Sequence, residues 1–162
     1  MSKKETHILK TDIILEIISW FFLLVIWLMT IISFQTLPDK IPTHFNFEGI
    51  ADNFGSKSAI FNLPVIATIL IVGLTILNKF LNSSENEREC NNSKNLYVRT
   101  RIIKFLKIAI LVIIGMIIFH TVEIAKNESE GLGIWLLIST IMLTNIPTFY
   151  YLIKLKFTKE EK

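Results

Sequence analysis

IISWFFLLVIWLMTIISFQTLP, residues 17–38, carries no charged side chain. A helix rising about 1.5 Å per residue needs about 20 such residues to cross a hydrocarbon core of roughly 30 Å, so this run predicts a membrane span. Working outward, three further runs have the same character: Ser58 to Asn78, Phe105 to Val122 with Lys107 near its start, and Gly131 to Ile153. The expected fold is an all-α integral membrane protein of four transmembrane helices, with a small extracytoplasmic hairpin-like cap between helices 1 and 2. With 162 residues, 51% of them hydrophobic, and a mean hydropathy of +0.51, the spans leave no room for a separate soluble domain. Residues 1–162 therefore form one membrane domain, with the second pair of spans in 96–157.

Of the 17 Lys and Arg, only Lys40, Lys57 and Lys126 fall in the first and third connections; the rest precede the first span, lie between Lys79 and Lys107, or follow the fourth. Basic residues close to spans are retained on the cytoplasmic side. Both termini and the middle connection are thus expected inside, in a multi-pass protein of the cytoplasmic membrane. The outer connections hold Asp39, Glu48, Asp52, Glu123, Glu128 and Glu130 against those three bases. That acidic face suits a cationic peptide or metal partner, although charge bias that merely records topology accounts for it as well. The first run lacks a small-x-small cleavage pattern over Ser33 to Thr36 and is expected to remain as an anchor.

Cys90 is the single cysteine, so neither a disulfide framework nor a thiolate metal site can form within one chain. Thr11 and Asp12 are expected to cap the first helix, with Glu16 reaching the inner head groups. Trp20, Trp135, Tyr150 and Tyr151 fall near span boundaries, whereas Trp27 is mid-span and predicts a partner for its indole N–H between helices. Ser56 or Ser58 is the expected cap of the second span, with a bend at Pro64. Pro147 is expected to free a carbonyl in the fourth, where Thr140, Thr144 and Thr148 form a polar stripe facing other helices. Arg99, Arg101, Lys104 and Lys107, interleaved with apolar residues, have the pattern of an interfacial entry that anchors on phospholipid heads.

The first outer connection, Leu37 to Lys57, is unlike ordinary linking sequence. Pro38 and Pro42 hold their predecessors extended. Thr43 to Glu48 then alternates, which as a strand puts His44, Asn46 and Glu48 on one face and Thr43, Phe45 and Phe47 on the other. Gly49 and Gly55 allow positive φ, Asp52-Asn53 suits an Asx-type turn, and the chain is expected to fold back so that Lys57 enters the second span beside the end of the first. Phe45, Phe47, Phe54 and Phe61 can plant this cap among acyl chains or on helix ends. His44, Asn46, Glu48 and Asp52 supply donors and acceptors beyond what packing requires.

The spacing Leu37-Pro38-x-x-Ile41-Pro42-x-His44-x-Asn46-x-x-Gly49-x-x-Asp52-x-x-Gly55-Ser56-Lys57 resembles the signature of the SdpI-type family of bacterial membrane immunity proteins and its associated domain of unknown function. With the flanking spans the resemblance covers roughly residues 13 to 80. It implies a non-catalytic role in immunity against, or sensing of, an extracellular membrane-active peptide, and makes Pro38, Pro42, His44, Asn46, Gly49, Asp52, Gly55 and Lys57 the ligand-binding or structural motif.

His120 and Glu123 lie three residues apart near the outer end of the third span. Together with His44 and Asp52 they are candidates for a mixed imidazole and carboxylate metal site, against the alternative that they hydrogen-bond to the cap and hold it down. No metal is assigned to them, and no cofactor is expected. Catalytic motifs are absent: there is no His-Glu-x-x-His helix, Gly-x-Ser-x-Gly elbow or phosphate-cradling loop. The partners expected are the lipid bilayer, an extracellular peptide and further copies of the chain, with no nucleic acid. An accessory subunit of a transporter or sensor is the other open reading.

Overall fold

The computed structural model describes residues 3–85, 93–127, 131–133, 136, 138–145, 149 and 153. Its elements are a helix α1 (Lys3–Phe34), strands β1 (Lys40–Phe45) and β2 (Ala51–Ser56), a 3-10 segment (Lys57–Phe61), and helices α2 (Asn62–Glu85) and α3 (Ser93–Ala125). Among the described residues three stretches are long and apolar enough to cross a membrane: Asp12–Phe34, Lys57–Leu81 and Thr100–Ala125, with mean hydropathies of 2.5, 2.4 and 2.7. In the fourth run, residues 136 and 138–145 are helical. Cys90, Trp135, Pro147, Thr148, Tyr150 and Tyr151 lie outside the described residues.

Lys3 to Lys10 contains no Gly or Pro, so α1 starts well before the expected cap and Thr11 and Asp12 lie inside it. At its other end the amides of Thr36 and Leu37 both donate to Ser33 O, at 3.0 and 3.1 Å, and Pro38 prevents continuation. Span one therefore stops at Phe34 rather than at Pro38. Pro64, expected to bend span two, is buried in the first turn of α2, directly after the 3-10 segment. The change from 3-10 to α geometry at Asn62 stands where the kink was expected.

α3 packs against both α1 and α2, more extensively than those two pack against each other. Leu23 and Ile26 of α1, Ala67 and Ile71 of α2, and Leu111, Ile114 and Ile118 of α3 form the shared seam. In lipid such a seam gains from close packing and interhelical hydrogen bonds rather than from apolar burial. Trp27 fulfils the expectation of a partner: its Nε1 donates to Thr68 Oγ1 at 3.1 Å, and that hydroxyl donates to Pro64 O at 2.8 Å. In the fourth run, Thr140 and Thr144 donate to carbonyls of their own helix, at 2.7 Å each, and Ser139 Oγ lies 3.7 Å from Met116 Sδ of α3.

Candidate functional site: the docked hairpin

β1 and β2 pair antiparallel, with Lys40 opposite Ser56, Ile41 opposite Gly55, Pro42 opposite Phe54, His44 opposite Asn53 and Phe45 opposite Ala51. Register shifts on either side of His44 twist the ribbon and end β1 at Phe45, so the strand expected to reach Glu48 is shorter. Asn46 makes the turn instead. Its Oδ1 accepts from the amides of Glu48 and Ile50, each at 3.0 Å, its own amide donates to Ile50 O at 2.9 Å, and Gly49 follows at φ 78°. The Asx turn expected at Asp52-Asn53 therefore lies at Asn46, and Asp52 and Asn53 are strand residues.

The remaining motif residues fasten this ribbon. His44 Nδ1 lies 2.6 Å from Asp52 Oδ1, an exposed cross-strand contact in which the ring N–H donates to the carboxylate. An exposed pair of this kind contributes about 0.2–1 kcal/mol. Gly55 is closely approached from the facing strand, since a Cβ there would stand 2.8 Å from Thr43 Cγ2 and something would have to shift. The base is closed where the Lys57 amide donates to Asp39 O at 3.0 Å and its ammonium sits 3.2 Å from Asp39 Oδ1, with Nζ 5.5 Å from the centroid of the Phe34 ring. Pro42 is buried and Pro38 exposed.

Underneath, Leu37, Ile41 and Ile60 are almost wholly buried and join the helix seam, so the hairpin is seated on the end of the bundle. Phe61 packs on Phe34, with centroids 5.0 Å apart, and on Trp27 at 6.5 Å. Phe45 is half-buried, whereas Phe47 is fully exposed and Ile50 and Phe54 more than half in the open or close to it. Of the four phenylalanines expected to plant the cap, only Phe61 is thus seated among helix ends. The turn has a second hold: Leu132 N donates to Gly49 O at 2.9 Å, and a Cβ on Gly131 would meet that same oxygen at 2.7 Å. The hairpin tip therefore rests on the first residues of the fourth apolar run.

His120 Nδ1 pairs with Glu123 Oε2 at 3.1 Å, and its ring meets Phe119 edge-on at 5.5 Å. The four metal candidates are arranged as two pairs, His44 with Asp52 and His120 with Glu123. Among the described residues no three His, Cys, Asp or Glu side chains converge on one point.

At the other end of the bundle lies a set of contacts that reading along the chain misses. Lys107 is fully buried, and its Nζ donates to Glu16 Oε1 at 2.6 Å and Thr75 Oγ1 at 2.7 Å. Lys104 Nζ donates to the carbonyl of Asp12 at 3.1 Å and lies 3.5 Å from its carboxylate, with Arg101 Nε at 3.7 Å. These bases turn into the bundle, so the expected anchoring of Arg101, Lys104 and Lys107 on lipid heads, and of Glu16 likewise, is replaced by pairing between helices. The available signal was spacing: Asp12 and Glu16 are four apart, Arg101, Lys104 and Lys107 three apart, and each set shares a helix face.

Long apolar helices joined by a hairpin that docks on their ends define a multi-pass membrane protein. Residues 21–68, which run from within α1 through the hairpin into α2, match the family model of a domain of unknown function, DUF1648. An uncharacterized protein of Archaeoglobus fulgidus is 33% identical over 54 residues, which make up 33% of this chain and 30% of that protein. The similarity thus spans under a third of that relative's length. No solved structure matches the chain.

Proposed function

We propose that the chain is a non-catalytic, SdpI-like protein of a bacterial cytoplasmic membrane, crossing it four times with both termini inside. Its hairpin faces outward and recognises or excludes a membrane-active peptide, as an immunity or sensing component would. The observation that carries this reading is the form of the hairpin. Its polar motif residues are consumed in holding one shape, through the His44–Asp52 contact, the Asn46 turn and the Lys57–Asp39 closure. What that shape presents is apolar with an acidic margin: Phe47, Ile50 and Phe54 are exposed together with Glu48, while Asp39 and Asp52, also exposed, keep their contacts with Lys57 and His44. Such a surface complements a cationic amphipathic segment. The match to DUF1648 over 21–68 supports the family resemblance of the motif.

The test is survival under challenge with a panel of cationic membrane-active peptides. Cells carrying the protein are expected to outlast cells lacking it against at least one peptide, and Phe47→Ser with Phe54→Ser is expected to abolish the difference. Equal killing across the panel overturns the reading.

A further inference from the structure

The Lys107 ammonium lies inside the candidate span Thr100–Ala125 and is wholly buried. Seven residues from the start of that span correspond to about 10 Å of helix. A lysine at such a depth ordinarily extends its stem toward the nearer interface. Here the side chain is directed between helices, where Glu16 of α1 and Thr75 of α2 each accept one of its protons. One turn farther from the hairpin, Lys104 meets the carbonyl and carboxylate of Asp12. Toward the hairpin the buried seam holds no further charge: Ile71 and Leu111 are fully buried with Leu23, Ile114, Ile26 and Ile118 beyond them, and the buried hydroxyls of Ser19, Thr30 and Thr121 donate to carbonyls of their own helices. The charges therefore form a closed clasp at one end of the seam.

Three features give this clasp a role beyond one favourable contact. Its acceptors come from both α1 and α2 and its charged donors from α3 alone. Glu16, Thr75 and the whole of α3 lie outside residues 21–68, so the clasp is additional to the stretch that matches DUF1648. The apolar seam of Ile and Leu residues, moreover, discriminates weakly between positions of α3 shifted by one turn, whereas a buried ammonium tolerates only the position that supplies its anion.

We propose that Glu16 and Thr75, with Asp12 one turn away, form an acceptor notch on the α1–α2 pair whose partner is a basic membrane helix. In this chain α3 fills the notch, and ionic matching of Lys107 decides its position.

Gly115 supplies the reporter, since a Cβ there would lie 3.8 Å from Ile26 Cγ1 of α1. In full-length protein carrying Cys90→Ser, Ile26→Cys and Gly115→Cys, a short bifunctional thiol reagent applied to membranes should join α1 to α3 within the chain. Adding Glu16→Gln leaves the ammonium without its anion and is expected to lower the crosslinked fraction at least threefold. Adding Lys107→Met to Glu16→Gln removes the unmatched charge and is expected to restore at least half of the parental yield. A fall of less than threefold in the single variant, or a double variant that stays at the single variant's yield, overturns the proposal. Neither result bears on peptide challenge, which reads the hairpin.

Discussion

Gly55 shows how little space one motif residue has. A methyl group on its Cα would stand 2.8 Å from Thr43 Cγ2 across the ribbon, so the Thr43 side chain or the local backbone would have to shift. Gly55→Ala is expected to destabilise the protein by about 1–3 kcal/mol, the usual cost of overpacking. Thr43→Ser, which deletes the obstructing methyl, should recover most of that loss, and thermal unfolding in detergent measures both. Trp27 is the corresponding case inside the bundle. Thr68→Val removes the acceptor of its indole N–H while preserving shape, and a loss of about 0.6–1.7 kcal/mol is expected in the same assay, in the range of interhelical hydrogen bonds in membrane proteins. A Trp at mid-span already announced the need for a partner. That Thr68 would be the partner depends on how α1 and α2 are rotated toward each other, which no spacing within either helix encodes.

Among elements, the hairpin was legible in outline and misplaced in detail. Prolines, glycines and alternation predicted a ribbon that returns the chain to its starting point, and Lys57 does close on Asp39. The turn, however, formed where one side-chain carbonyl could satisfy two amides at once, at Asn46, and not at the equally turn-prone Asp52-Asn53. Local preference left two sites nearly equivalent, and the choice went to the one that seats Ile41 and Leu37 on the helices. Gly131 illustrates the same limit from a distance. Its need to be glycine comes from the carbonyl of Gly49, more than 80 residues earlier in the chain.

For the whole molecule, the two ends of the bundle carry different chemistry: a seated hairpin at one and a charge clasp at the other. The proposed orientation places the hairpin outside. With Asn53→Cys in place, an impermeant thiol reagent should label that exposed position in intact cells, while native Cys90 should react only after the membrane is opened. Labelling of Cys90 alone in intact cells would invert the map and remove the peptide from reach of the hairpin.

Three apolar spans and a chain-reversing hairpin between the first two were determined by the sequence alone, because hydrocarbon thickness and backbone dihedral limits act on consecutive residues. The destination of Lys107 was decided only by the tertiary structure. One and the same lysine serves a lipid head or a buried carboxylate, and which it meets depends on whether α1 brings Glu16 to its side of the seam.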